Sequence, residues 1–319
     1  MIKKKMSFGF KVFFSVISIL VLVTIFTIGS GLSIVNKMQK IEINKQDLGI
    51  TEVPVNEKEI INIALFGIDS PDAETSGRSD AIMIATIDQK HNKLKLTSIM
   101  RDSYVNIPGR GLDKINHAYA FGGAQLALKT INENFGLNIQ DFVAVDFSSL
   151  PKVIDAVGGV EINLDNEELT LTNQYAQSID SLTGTKTPVL QSPGTQTLTG
   201  TQALAYSRIR YTSGGDYKRT ERQREVIESL FNKALNISPT KYPSLISEIA
   251  PFISTSLSTT DMVGLGTELL SVGSKTLEQE RFPRDAYCEG KLISEIYYLT
   301  FDTESTKQQI QNYIFEDKK

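Results

Sequence analysis

The sequence is poor in the residues that build metal centres and crosslinks. It has one cysteine and two histidines in 319 residues. A His/Cys metal site is nearly excluded by that count. Cys288 has no second cysteine in the chain to bridge to, so no disulfide framework exists within one copy. Basic charge is not in excess either. Thirty-three Lys and Arg against 37 Asp and Glu leave a formal charge of −4, which argues against bulk nucleic-acid binding. There is no P-loop, G-x-S-x-G or H-E-x-x-H pattern, no internal repeat and no low-complexity tract.

What is present first is an apolar run. Lys3, Lys4, Lys5 and Lys11 precede "VFFSVISILVLVTIFTIGSGLSIV", residues 12–35, which carries no charge. About 20 residues span a hydrocarbon core, so this reads as a transmembrane helix. A cleaved signal, the alternative, would have a shorter apolar region and an A-x-A-like site. The leading lysines predict a cytoplasmic tail at 1–11. Residues 36–58 read as a polar stalk, and 59–319 as an extracellular domain.

That domain reads as α/β with a mixed central sheet flanked by helices. "EIINIALFGID", "DAIMIATID", "KLKLTSIM", "DFVAVDF" and "VEINLD" have strand patterns, with "QKHN" a hairpin turn. "GGAQLALKTINENFG" has helical spacing and a stop at Gly136. "SSLPKVIDAVGG" reads as a short helix. Residues 166–194 read as polar and turn-rich. "LTGTQALAYSRIR" and "RTERQREVIESLFNKAL" read as helices, and 238–319 as helix, strand, helix.

Charge gathers in two places. If the first three strands are antiparallel neighbours, Asp69, Asp80 and Arg101 fall at one end of the sheet. Two carboxylates held close repel unless a cation or proton sits between them. An oxygen-only ligand set suits Mg²⁺ or Mn²⁺; ordinary loop ion pairs would look the same in sequence. The second place is "SRIRYTSGGDYKRTERQRE", with Arg208, Arg210, Arg219, Arg222 and Arg224. Arginine presents a planar fork to phosphate oxygens and keeps its charge when partly buried. Arg219 and Gln223 share a helix face; Arg222 and Arg224 are expected on the solvated side. Arginines, two carboxylates and a divalent ion outline a diphosphate site.

Seven fragments in order carry a resemblance: "FGID", "GRSDAIMIATID", "SIMRDSYVNIPG", "KINHAYAFGG", "VDFSSLPKVIDAVGGVEI", "LTGTQALAYSRIR" and "GDYKRTERQREVI". Over about residues 60–235 the chain resembles the LytR-CpsA-Psr family of Gram-positive cell-wall enzymes. The resemblance implies an extracytoplasmic α/β domain that holds a polyprenyl diphosphate lipid in an apolar tunnel. It implies transfer of a glycopolymer, such as teichoic acid or capsule, from that carrier to peptidoglycan, with the C6 hydroxyl of N-acetylmuramic acid as acceptor. It places the metal on Asp69 and Asp80, and the diphosphate on Arg101, Arg208, Arg210, Arg219 and Gln223. It matches Asp216 to an acidic residue. Met100 stands where the family often has proline, and His117 where it is usually small; His117 reads as structural. Asp80, Asp102 and Asp216 are candidate bases. Leu126, Leu128, Ile131, Val153, Ile154 and Val157 fit the tunnel or plain core, with core the default. The rival readings are a polyprenyl-diphosphate pyrophosphatase using the same site, and a non-enzymatic membrane-bound regulator.

Overall fold

The computed structural model describes residues 37–50, 59–69, 77–146, 149–209, 218–219, 221–222, 225–226, 229–230, 233, 242–272 and 277–318. The expected membrane span lies outside them. Among the described residues no helix is long and apolar enough to cross a membrane. The chain divides into two compact units. One is Met38–Asp146 with Ile253–Lys319, and the other is built on Phe147–Phe252.

In chain order the elements begin with β1 (Gln39–Lys40), β2 (Ile60–Asp69), β3 (Arg78–Asp88), β4 (Lys93–Ile99), β5 (Tyr104–Ile107), β6 (Gly111–Lys114), α1 (His117–Phe135) and β7 (Asp141–Asp146). There follow α2 (Leu150–Ala156), β8 (Val160–Leu164), α3 (Asn166–Thr183), β9 (Gly194–Leu198), α4 (Gly200–Arg208) and α5 (Tyr242–Ile249). The last are β10 (Ile253–Thr255), α6 (Thr259–Ser271), β11 (Leu277–Phe282), β12 (Cys288–Ile293), β13 (Ile296–Phe301) and α7 (Thr303–Phe315).

The first unit is built on a seven-stranded sheet in the order β1-β10-β7-β2-β3-β4-β11. β2, β3 and β4 are antiparallel neighbours, while β7 runs parallel to β2 and β11 parallel to β4. The sheet is therefore mixed, as expected. Ala64, Phe66 and Ile84 pack with Leu128, Ile131 and Phe135 of α1 and with Ile310 and Ile314 of α7 in one core. Each fully buried Leu, Ile or Phe side chain in it stabilises the fold by roughly 1.5–3 kcal/mol. Leu128 and Ile131 are thus core residues here. Residues 38–50 also pack on this unit: β1 pairs with β10, and Leu48 is 1% exposed. Helix α1 starts at His117, upstream of the expected start. It loses helical geometry at Gly122 and Gly123 and ends at Gly136.

Three expectations are corrected. The segment after residue 238 is richer than helix, strand, helix: β10 and β11 join the central sheet, and β12 and β13 form a separate hairpin. Residues 166–183 are a helix rather than turns. Its composition is polar and its inward stripe is thin, Leu169, Thr172, Ala176 and Ile179, yet its start signal was present: Asp165 and Glu168 form a reciprocal capping box. The strand β8 is outside the central sheet and pairs only with β9, antiparallel, in the second unit.

In that second unit α4 is placed by its first turn. The Gly200 N–H donates to Asp155 Oδ1 at 2.7 Å. A Cβ on Gly200 would lie 2.0 Å from the Pro151 carbonyl oxygen, so only glycine permits this approach to α2. Ile154 and Val157 are buried here as core.

Candidate active site

Asp69, Asp80 and Arg101 meet at one end of the central sheet. Asp69 closes β2 opposite Arg78. Gly67 lies opposite Ala81, but Ile68 lies opposite Ser79, so Asp80 is the extra residue of a β-bulge. A bulge bends its strand and re-aims a side chain. The Asp80 carboxylate meets Nη1 of Arg101 at 2.7 Å.

Arg101 sits in the turn that leaves β4, closed by the Ser103 N–H donating to the Met100 carbonyl. Its Nε is 3.5 Å from Asp102 Oδ2, and the other Asp102 oxygen takes Lys114 Nζ at 2.8 Å. The guanidinium is therefore held between two carboxylates. Asp102 is 5% exposed and engaged by both cations, which makes it a positioning residue for Arg101.

Sequence reasoning missed Asn116, although "KINHAYA" contains it. It is 3% exposed. Its Nδ2 donates to Asp80 Oδ1 at 3.1 Å. Its N–H donates to the Arg101 carbonyl, and its own carbonyl accepts from Ser79 N–H. One buried amide side chain with its backbone thus ties the Arg101 turn to the bulge. His117, next along, is held by Asp113 at 2.8 Å, in keeping with a structural role.

The expected arginine cluster belongs to the second unit. Arg208 ends α4 and is exposed. Arg219 is helical and 2% exposed. Arg210, Asp216, Gln223 and Arg224 lie outside the described residues. Arg222 corrects an expectation: it is 3% exposed rather than solvated. Its Nε donates to Glu168 Oε1 at 2.9 Å and its Nη1 to the Ile209 carbonyl at 3.4 Å. The spacing of "RTERQRE" alone could not reveal this, because the partner Glu168 comes from α3, 54 residues upstream. Beside it, the Tyr206 hydroxyl donates to Glu225. Burial first, and that bond second, push the Tyr206 pKa well up.

As a cation site, the sheet end offers oxygen donors of the right kind. Among the described residues no group of three or more His, Cys, Asp or Glu could hold a metal. Asp69 and Asp80, at the same end of the sheet, would offer such an ion two carboxylates. That number fits Mg²⁺, which keeps waters and takes substrate phosphates as its other ligands.

The sequence profile of the LytR_cpsA_psr family matches residues 25–314. The chain belongs to that family. Among its relatives is an Enterococcus faecalis (strain ATCC 700802 / V583) protein named polyisoprenyl-teichoic acid–peptidoglycan teichoic acid transferase TagU. It is 34% identical over 86% of this chain and 88% of its own. A solved structure described as "TagT bound to LIIa-WTA" is 27% identical, with a TM-score of 0.65 over 87% of this chain and 98% of that one. Another, described as the LytR-CPS2A-psr family protein YwtF (TagT) with bound octaprenyl pyrophosphate lipid, is 25% identical. Its TM-score is 0.62, over 87% of this chain and 98% of that one. The mixed α/β fold is that of LytR_cpsA_psr proteins.

Proposed function

We propose that this LytR_cpsA_psr protein moves an anionic glycopolymer, teichoic acid, capsule or similar, from a polyprenyl diphosphate carrier to peptidoglycan. The observation that carries the reading is Arg101, held between Asp80 and Asp102 at the sheet end where Asp69 also emerges. The names of the relatives point the same way.

The acceptor hydroxyl oxygen attacks the phosphorus that bears the glycopolymer. The bond from that phosphorus to the bridging oxygen breaks, and polyprenyl monophosphate leaves. The hydroxyl proton passes to a base, for which Asp80 and Asp216 are the candidates. Charge spreads over phosphate oxygens in the transition state, so fixed cationic donors supply most of the catalysis. Arg101, Arg208, Arg210 and Arg219 are the proposed donors, with Gln223 as a further diphosphate contact. Asp69 and Asp80 would hold Mg²⁺, or Mn²⁺, which neutralises diphosphate charge when bound. Residues 12–35 anchor the chain as a single span, with the catalytic domain outside the cell.

The test is transfer from a synthetic polyprenyl-diphosphate-linked glycan, using the full chain. Covalent attachment to added peptidoglycan with release of polyprenyl monophosphate is expected. Release to water alone, with acceptor present, would make the protein a pyrophosphatase. Protease added to intact protoplasts should digest the domain; full protection would reject the external topology.

A further inference from the structure

The β12–β13 hairpin carries an aromatic surface outside the Asp69, Asp80 and Arg101 grouping. Tyr298 stacks obliquely on Tyr104 of β5, with ring centroids 4.6 Å apart. Lys114 Nζ stands 5.7 Å from the Tyr298 centroid and 6.0 Å from that of Tyr297. Tyr297 is 38% exposed and its cross-strand neighbour Leu292 is 74% exposed. Gly290 is the reason the Tyr297 ring can lie along the hairpin: a Cβ there would come within 2.6 Å of Cε2. Hydrogen-bonding groups border the rings. Asp113 accepts from the Lys114 N–H at 2.7 Å, contacts His117 Nδ1 at 2.8 Å, and takes the Tyr298 hydroxyl at 3.5 Å.

This surface is continuous with the candidate active site. Lys114 is ion-paired with Asp102, Asp102 with Arg101, and Arg101 with Asp80. All of these residues belong to the first unit.

Its chemistry selects an occupant. A pyranose ring has a face of C–H bonds and a rim of hydroxyls. The C–H face is attracted to the negative face of an aromatic ring, and the rim needs both acceptors and donors. Tyrosine rings bordered by a carboxylate, an imidazole and an ammonium supply all three. Charge argues against the anionic polymer itself. Lys114 and Lys291 are offset by Asp113 and Glu289, so there is no basic excess to receive a polyanion or an anionic membrane.

We propose that Tyr104, Tyr297 and Tyr298, with Lys114 and Asp113, form the subsite that seats the acceptor glycan strand beside Arg101. The proposal rests on the transferase reading for its purpose but not for its test. Tyr297 provides the outer ring, and Gly290 sets that ring's tilt.

The test is direct binding of a soluble, undecorated peptidoglycan tetrasaccharide to the full chain, without donor lipid, followed by NMR or calorimetry. Tyr297→Ala should weaken binding about tenfold, Gly290→Ala should weaken it by displacing the ring, and Tyr297→Phe should retain it. Circular dichroism checks that each variant is folded. No binding to wild type, or equal binding to Tyr297→Ala, overturns the proposal. So does loss of vesicle binding in Tyr297→Ala with glycan binding intact, which would make the patch a membrane contact. Glycan that binds the hairpin but is never a transfer acceptor would instead sink the transferase reading and leave the subsite standing.

Discussion

Arg222 Nε donates to Glu168 Oε1 at 2.9 Å, joining α3 to the helical residues around Arg219 and Arg222. Both side chains are largely buried, at 4% and 15% exposed. Removing one member of such a pair leaves an uncompensated charge, which costs on the order of 3 kcal/mol. Arg222→Ala should therefore lower unfolding stability by about that amount, read by urea denaturation with circular dichroism. The Arg222→Ala/Glu168→Ala double variant should be less destabilised than the sum of the singles. Strict additivity would show that the two residues do not interact.

Asn116 should matter through Asp80 and Arg101 rather than through substrate. Asn116→Ala frees Asp80 Oδ1 from its amide donor and loosens the Arg101 turn. A misplacement on the order of 1 Å costs about a hundredfold in rate. The measurement is kcat for transfer, with circular dichroism confirming a folded variant. Asn116→Asp should be no better, because it sets a second carboxylate against Asp80. Wild-type kcat in either variant would remove Asn116 from the site.

For the arginines, Arg219→Lys should fail where a solvated arginine would tolerate lysine. One ammonium cannot reproduce a bidentate fork on phosphate. Losing a donor aimed at transition-state charge costs roughly 3 kcal/mol, about a hundredfold. Normal transfer rates from a synthetic donor in Arg219→Lys would exclude the residue from the diphosphate site.

The cation reading predicts that EDTA abolishes transfer and that Mg²⁺ restores it. Asp69 is exposed at the end of β2, so Asp69→Ala should fold normally yet bind Mn²⁺ more weakly by electron paramagnetic resonance. Unchanged Mn²⁺ affinity in Asp69→Ala would move the ion elsewhere.

Acid should loosen the contacts at the C-terminal end. Burial pushes the Asp317 pKa up, but the Lys93 hydrogen bond and the Lys95 charge outweigh it, so the net shift is down from 3.8. A depressed carboxylate stabilises the fold above its ordinary pKa and loses that contribution as pH falls through the lowered value. Lys93 is raised, chiefly by its bonds to Asp317 and Glu278. Its contribution is present below 10.5 and fades as pH rises through the raised value. Asp317→Asn should flatten the acid limb of a melting-temperature profile. An unchanged acid limb would show that the contact carries no linkage.

By itself the sequence determined the central strands β2, β3, β4 and β7, because their apolar runs are long enough to be buried in a sheet. It also determined the Asp69, Asp80 and Arg101 grouping, since consecutive antiparallel strands bring their ends together. The motifs that marked the family are local and survive as fragments. Tertiary structure alone decided the rest. Lys95 alternates with leucines as if it faced water. It is 1% exposed, because Asp88 and the Tyr313 and Ile314 carbonyls at the end of α7 receive its ammonium. Arg222 looked like a solvated helix face until Glu168 arrived from more than 50 residues upstream. The hairpin tyrosines reach Lys114 from almost 200 residues away. Periodicity reports which side of its own element a residue occupies. It carries no information about which distant partner makes burying a charge affordable, and that partner is what placed these residues.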